Sequence, residues 1–242
     1  MQEIELKLNL LEEDPRGLHE HALINHYSKE PPLTFDLNTG YYDTEDYALL
    51  KNGIALRVRE EDGEYIQTVK SKSKESQGLH QREEWHSKLP SNQIDLSLIE
   101  PAELREKIQE IAKKQKLLPL FQTRFSRTKW LLELPNQCEV ELVLDLGEVV
   151  CGKDAVAIQE IELELVKGKH IDCLFELAAG IAAAVPVNIE NKSKAWRGYQ
   201  LHQAVKAGKA YQDLRDKERQ SPEFFLEQAA LFSGKTQPGM PG

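Results

Sequence analysis

Long stretches of this chain place apolar and polar residues at alternate positions, the pattern of a β-strand with two different faces. The alternation begins in EIELKL at residues 3–8 and recurs in ALRVRE, RTKWLLEL, EVELVLDL and EIELEL. Apolar residues at helical spacing occupy residues 15–29, 101–118 and 170–185, with prolines and glycines between the segments. Strands outnumber helices, and we predict an α+β domain with a mainly antiparallel sheet.

The C-terminal part has a different pattern. From about residue 200 to 232 the sequence is amphipathic with helical spacing, and Pro222 divides it. We therefore expect a helical extension over 203–232, which packs on the main domain or forms a dimer contact. The stretch 233–242 is rich in glycine and proline, and we expect it to be disordered.

The polar faces of the strands carry charges that are grouped by sign. EIELEL holds three glutamates on one face, LRVR holds two arginines, and RTK holds an arginine and a lysine. Like charges two residues apart on a strand repel each other, and an ordinary solvated face mixes the signs. Strands of opposite sign that face each other across a closed barrel would relieve this repulsion. We therefore predict a barrel with a charged lumen and with helices over its apolar outer face.

Such a lumen suits a particular chemistry. Carboxylates bind hard divalent cations, and Arg and Lys side chains donate charge-assisted hydrogen bonds to phosphate oxygens. Phosphoryl transfer needs mainly positioning and charge neutralisation from the protein. The pattern therefore favours a metal-bound linear polyphosphate as the occupant of the lumen. The sequence contains no Walker A, GxSxG or HExxH motif.

Composition narrows the class of protein. The net charge of −9 argues against a general nucleic-acid binder, and no apolar run is long enough to span a membrane. The three cysteines lack a CxxC spacing. We therefore do not expect a disulfide framework or a cysteine-rich zinc site. We expect the protein to be in a reducing compartment, the cytoplasm.

The ordered motifs resemble a known family. EIELKL matches the ExExK signature of the CYTH superfamily, the triphosphate tunnel metalloenzymes, and is followed by YYDTED, GIALRVRE, GLHQREEW, RTKW, ELVLDLGEV, EIELEL and KSKAWRGY. The resemblance extends over residues 1–202 and is greatest to the bacterial inorganic triphosphatases. It implies an eight-stranded tunnel that hydrolyses tripolyphosphate to pyrophosphate and phosphate with Mg²⁺ or Mn²⁺.

The resemblance also assigns roles to residues of this chain. The implied metal-side carboxylates are Glu3, Glu5, Glu84, Asp145, Glu160, Glu162 and Glu164. The implied substrate-binding bases are Lys7, Arg57, Arg59, Lys70, Arg82, Arg127, Lys129 and Lys194. The residues expected to act most directly in catalysis are Glu5, Lys7, Arg57 and Arg59. Glu141 and Arg124 are weaker candidates, Glu139 is expected in solvent or near the tunnel mouth, and Asp43 is expected to hold a turn.

Several alternatives stay open. The same fold could act as a thiamine-triphosphatase or an adenylyl cyclase, or the chain could bind polyphosphate without catalysis. The row of glutamates argues against simple binding, because a polyanion gains nothing from carboxylates. Relatives of this subgroup often continue into a long helical domain, and the chain either lacks that domain or is part of a longer protein. A homodimer is a further expectation.

Overall fold

The computed structural model describes residues 2–11, 15–61, 63–71, 74–76, 78–168, 170–213 and 217–233. Glu3 and Arg82 are described in their backbone only, so the roles predicted for their side chains lie outside the described residues. The disorder predicted for 233–242 lies outside the described residues from residue 234 onward.

Within the described residues, ten strands form one antiparallel sheet. The strands are β1 (Gln2–Leu10), β2 (Leu33–Asp43), β3 (Ala55–Glu61), β4 (Glu64–Lys70), β5 (Lys74–Ser76), β6 (Leu79–Leu89), β7 (Leu118–Leu134), β8 (Cys138–Cys151), β9 (Asp154–Lys167) and β10 (Val187–Ile189). Their order is β10-β1-β9-β8-β7-β2-β3-β4-β6-β5, and β1 also pairs with β6. The sheet is therefore strongly curled, because β1 is hydrogen-bonded to β9 on one side and to β6 on the other. The predicted α+β class and antiparallel sheet are confirmed.

Seven α-helices among the described residues pack against the sheet. They are α1 (Arg16–His19), α2 (Ala22–Tyr27), α3 (Ala48–Lys51), α4 (Ala102–Lys114), α5 (Asp172–Ala182), α6 (Lys194–Lys206) and α7 (Pro222–Phe232). Six of them lie on the outer, apolar faces of the strands, and α6 lies on the inner side. The largest core lies between α5 and the outward side chains of β1, β8 and β9, such as Leu6, Leu142 and Leu163. Because successive side chains of a strand point to opposite faces, this apolar packing directs the alternating charged residues inward.

Three predicted helical segments differ from the structure. The helix predicted over 15–29 is two short helices, because His21 between them has an extended backbone. The helix predicted over 101–118 ends at Lys114, since Leu118 already begins β7. The helical stretch from 200 to 232 contains α6, which begins earlier and crosses residue 202, and α7; the described residues between them are not helical.

Helix α6 lies against the inner part of the sheet. Gly198 makes this close approach possible, because a Cβ there would lie 1.9 Å from the Phe121 ring on β7. Tyr199 donates a hydrogen bond to Asp43 at 3.0 Å, and Asp43 also accepts from the backbone N–H groups of Leu49 and Leu50. The expectation that Asp43 holds the turn after β2 is therefore confirmed. Around this contact, aromatic and aliphatic side chains such as Tyr41 fill one part of the sheet's interior.

The cysteines correct one expectation. A disulfide joins Cys138, at the start of β8, to Cys173 in α5, and Cys151 is free and buried. The sequence spacing could not show that these two elements lie against each other in the same core. No helix among the described residues has the length and apolar character needed to cross a bilayer.

Candidate functional site

The charged inner faces of the strands surround a cavity of about 450 Å³. Ten of the predicted site residues line it: Glu5, Lys7, Arg57, Arg59, Lys70, Glu84, Arg127, Glu162, Glu164 and Lys194. They come from six strands and from the first turn of α6. The sequence pattern thus brought together residues that are up to 189 positions apart, from Glu5 to Lys194.

Three other predicted residues lie beside the cavity rather than on its wall. Asp145 and Glu160 are fully buried. Lys129 has a side chain that is 38 % exposed and forms an ion pair with Glu141 at 2.5 Å. Among the weaker candidates, Glu141 lines the cavity, whereas Arg124 is exposed and Glu139 pairs with Lys167 at the surface. Glu139, which was expected in solvent or near the tunnel mouth, is half-buried and does not line the cavity.

One side of the site is a dense network of ion pairs between side chains on β1, β7, β8, β9 and α6. Arg127 donates two hydrogen bonds of 2.7 Å to Asp145 and one of 2.9 Å to Glu162. The ammonium of Lys194 lies 2.7 Å from Asp145 and 3.1 Å from Glu162, and it also contacts Glu160. The same Glu162 carboxylate accepts from Lys7. Each buried charge in this network therefore has partners of opposite sign.

The network shifts the titration of its members. Burial acts to raise the pKa of Glu162, but Lys194, Lys7 and Arg127 outweigh it and hold that pKa well below its usual range. Burial also acts to raise the pKa of Asp145, but Lys194 and Arg127 outweigh it and lower that pKa. Burial opposes the charge of Lys194, yet Asp145, Glu160 and Glu162 raise its pKa. These groups are therefore ionised at neutral pH.

The network also contains a cluster with the composition of a metal site. Asp145, Glu160 and Glu162 each offer a carboxylate oxygen within 4.8 Å of the others. The Lys194 ammonium contacts all three, so it takes the position that a cation would occupy among them.

A second set of carboxylates lies in one row across three neighbouring strands. Glu5 on β1 is opposite Glu164 on β9, and Glu164 is opposite Glu141 on β8. All three line the cavity. Glu5 contacts the Lys7 ammonium at 3.1 Å and Glu141 contacts that of Lys129 at 2.5 Å. A divalent cation bound among the carboxylates would add to this neutralisation of like charges that lie opposite each other in the sheet. Carboxylate oxygens are also the donors that Mg²⁺ and Mn²⁺ prefer, so this row fits a divalent metal.

The side of the cavity formed by β3, called the basic wall here, carries Arg57 and Arg59. Among the described residues, neither Arg57 nor Arg59 forms an ion pair with a carboxylate, and the Nε atom of each is buried without a hydrogen-bond partner. Burial, and then the charges of Arg57 and Arg127, lower the pKa of Arg59 to about 9. The two guanidinium groups therefore offer unused donors and positive charge to the cavity.

Sequence reasoning missed three residues at this site. Arg197 is buried and pairs with Glu160, and Lys192 and Trp196 line the cavity. All three lie in or beside the KSKAWRGY segment, from which only Lys194 was selected. They do not belong to an alternating strand, and the sequence pattern of a helix does not show whether it packs beside a cavity that strands form.

Comparisons with known proteins agree with this geometry. The family model described as "CYTH domain" matches residues 1–199. The chain is 33 % identical over 206 residues to an inorganic triphosphatase of Haemophilus influenzae, an alignment that covers 83 % of this chain and 55 % of that protein. The chain thus spans about half the length of this relative.

A solved structure shows the same fold. HpAC1 from Hippeastrum, an adenylyl cyclase candidate described as having a dominant triphosphatase activity, superimposes with a TM-score of 0.57 at 21 % identity. The superposition covers 90 % of this chain and 100 % of that one. With a family model that matches most of its length and a curled antiparallel sheet of the same architecture, this chain belongs to the CYTH domain family.

Proposed function

We propose that this protein hydrolyses tripolyphosphate to pyrophosphate and phosphate in a metal-dependent reaction. The observation that carries the proposal is the pair of cavity-lining arginines, Arg57 and Arg59, which have no carboxylate partner in the described part of the chain. The relative that is an inorganic triphosphatase supports the same substrate.

We further propose that the site is a closed tunnel of eight strands. The ladder between β1 and β6, from Gln2–Glu83 to Leu6–Leu79, supports it. With this ladder, β1, β9, β8, β7, β2, β3, β4 and β6 are each paired on both sides. An enclosed site excludes most water, and its charges then act on a substrate more strongly than they would in bulk solvent.

The basic wall would bind the phosphate chain. Guanidinium groups donate paired hydrogen bonds to phosphate oxygens, and a bound polyanion relieves the mutual repulsion of Arg57, Arg59 and Arg127. Lys7 and Lys194 are fixed by their carboxylates and present oriented ammonium groups to the same cavity. These residues would neutralise the charge of the substrate and align it for in-line attack by water.

The acidic row of Glu5, Glu164 and Glu141 would hold the divalent metal. When bound, the metal neutralises phosphate charge and lowers the pKa of a water ligand. Glu162 and Asp145 lie within the ion-pair network of Lys7, Arg127 and Lys194, and we propose that they orient Lys194 and Arg127 rather than bind metal. This division differs from the sequence-based prediction, in which Asp145, Glu160 and Glu162 were metal ligands.

The direct test is release of phosphate from tripolyphosphate, ATP and thiamine triphosphate, each with Mg²⁺, Mn²⁺ or EDTA. We expect tripolyphosphate with metal to give the highest kcat/KM, and EDTA to abolish turnover. Turnover that persists in EDTA would overturn the metal requirement. Formation of a cyclic product from ATP alone would identify a cyclase instead.

A matched pair of variants tests the proposed metal-binding row. Glu5→Gln keeps the side-chain shape but weakens metal binding, and we expect kcat to fall on the order of 100-fold at saturating substrate. Glu139→Gln, a surface carboxylate, is the control and should leave kcat unchanged. Full turnover of Glu5→Gln at saturating metal would remove Glu5 from the proposed metal site.

A further inference from the structure

A lysine of the KSKAWRGY segment for which the sequence predicted no role lines the cavity. The Nζ atom of Lys192 is 4.4 Å from the centroid of the Trp196 ring, and both side chains line the cavity. Along the segment that leads into α6, Asn191 is exposed, Lys192 is half-buried and Lys194 is buried. Lys192 therefore lies nearer the opening than Lys194.

The backbone around Lys192 is fixed on both sides. Its own N–H donates to the carboxylate of Glu190 at 2.7 Å, and the Asn191 side chain accepts from the N–H of Gly78 at 2.8 Å. On the other side, Ser193 caps α6 by accepting from the N–H of Trp196 at 3.1 Å. These hydrogen bonds hold the backbone from which the Lys192 side chain extends.

Lys192 differs from the other lysines of the cavity in its partner. Lys7, Lys70 and Lys194 each contact a carboxylate. Lys192 has no carboxylate within 4.0 Å among the described residues, and its ammonium lies over an indole face instead. A cation–π contact holds the ammonium in place without neutralising its charge, so its N–H donors stay available to an anion.

We propose that Lys192, held over Trp196, is a further substrate-binding residue that contacts the outer phosphoryl group of tripolyphosphate at the mouth of the cavity. This inference rests on the proposed function and specifies the part of the substrate that Lys192 binds. Together with Arg57 and Arg59, Lys192 completes a set of cavity-lining bases that lack a carboxylate partner in the described residues.

The contact distinguishes classes of triphosphate. The outer group of tripolyphosphate is a free terminal phosphoryl group with up to two negative charges. In a nucleoside triphosphate bound in the same direction, the corresponding group is an ester with one negative charge and a bulky ribose. An ammonium at this position favours the group with more charge, and its place over the indole leaves that ring face closed to stacking by a nucleobase.

The test compares Lys192→Met with Lys153→Met, which removes the same charge from an exposed turn between β8 and β9. The Kd of tripolyphosphate is measured by calorimetry in EDTA, and kcat and KM for tripolyphosphate and ATP are measured with Mg²⁺. We expect Lys192→Met to raise the Kd and KM for tripolyphosphate about five- to tenfold, as loss of one charge-assisted contact does. We expect kcat to change less than about twofold, and KM for ATP to rise only about twofold, because the ester group carries less charge.

Trp196→Leu provides a second variant, in which Lys192 remains but loses its support. We expect it to raise KM for tripolyphosphate about two- to threefold with an unchanged kcat, since a cation–π contact is the weaker of the two interactions. Lys192→Met values that match those of Lys153→Met, in a protein that hydrolyses tripolyphosphate, would overturn this inference alone. A wild-type protein that neither binds nor hydrolyses tripolyphosphate would overturn the proposed function and the inference with it.

Discussion

The two walls of the cavity treat their charges in opposite ways. On the acidic wall of β8, β9 and β1, Glu162 and Asp145 are surrounded by Lys194, Arg127 and Lys7 at hydrogen-bond distance. On the basic wall of β3, Arg57 and Arg59 have no such partner in the described residues. The protein itself supplies the counter-charges for Glu162 and Asp145. Arg57 and Arg59 gain a counter-charge from an anion that binds in the cavity.

This difference predicts where stability and affinity originate. A buried ion pair costs desolvation, and removal of one partner leaves a buried charge uncompensated. A buried base without a partner carries the desolvation cost already, as the lowered pKa of Arg59, about 9, indicates. Substitutions on the acidic wall should therefore destabilise the fold, whereas substitutions on the basic wall should affect mainly substrate binding.

The largest effect is expected for Glu162→Gln. Loss of this carboxylate leaves Lys7, Arg127 and Lys194 short of negative charge, and we expect the free energy of unfolding to fall by about 3 kcal/mol at pH 7. The measurement is urea unfolding of the wild type and the variant. Glu139→Gln is the matched control, and its unfolding midpoint should stay near that of the wild type.

The pH dependence of unfolding, compared between the wild type and Glu162→Gln, tests whether the ionised form of Glu162 stabilises the fold. The pKa of Glu162 is lower in the folded protein than its ordinary value of 4.5. Its stabilisation is therefore fully present above pH 4.5 and is lost as the pH falls towards the folded-state pKa. The gap between wild type and Glu162→Gln should narrow below pH 4.5. A gap that is constant from pH 7 to pH 3 would show that the charge of Glu162 does not stabilise the fold.

The next effect concerns Arg59→Met on the basic wall. We expect kcat/KM for tripolyphosphate to fall about 100-fold, mainly through KM, because charge-assisted contacts to phosphate are lost. The unfolding free energy should be unchanged or higher, since an unpaired buried charge is replaced by an apolar side chain. Steady-state kinetics and urea unfolding measure the two quantities. Marked destabilisation with an unaltered KM would contradict the comparison of the walls.

Much of this site could be predicted from the sequence because the period of a strand is two. Alternation puts Glu5, Arg57 and Glu162 on one face of their strands and the apolar neighbours on the opposite face. Those neighbours, Leu6, Val58 and Leu163, are buried and identify the face that packs in the core. Grouped charges then predict that the charged faces surround a common space. The exact strand order was not needed for this inference, and ten of the residues selected from the pattern line one cavity.

The remaining features depend on contacts that have no local pattern. Only the register shows that Glu5, Glu164 and Glu141 form one row, and only the packing shows that Lys194 lies among Asp145, Glu160 and Glu162. The course of α6 into the curled sheet depends on the space at Gly198, which a sequence pattern cannot reveal. The disulfide between Cys138 and Cys173 was missed for the same reason.

A smaller effect is expected from tripolyphosphate in the absence of metal. If the basic wall alone binds the anion, tripolyphosphate at ten times its Kd in EDTA should stabilise the wild type by about 1.4 kcal/mol. The shift in unfolding midpoint should be much reduced in Arg59→Met at the same concentration and retained in Lys153→Met. An equal shift in Arg59→Met and the wild type would mean that the anion binds elsewhere.

The smallest effect is expected at alkaline pH. Because the folded-state pKa of Arg59 is about 9, below its ordinary 12.5, the unbound protein loses this positive charge as the pH rises through 9. The energetic cost of burying the charge begins to decrease only above pH 9 and is gone near pH 12.5, the ordinary pKa of the group. The Kd of tripolyphosphate in EDTA should therefore rise a few-fold between pH 8 and pH 10, and the same titration of Arg59→Met accounts for the last proton of the polyanion, which is lost in this range. Arg59→Met should remove this rise, because its affinity no longer depends on that proton, and a rise of equal size in both proteins would assign the titration to another base.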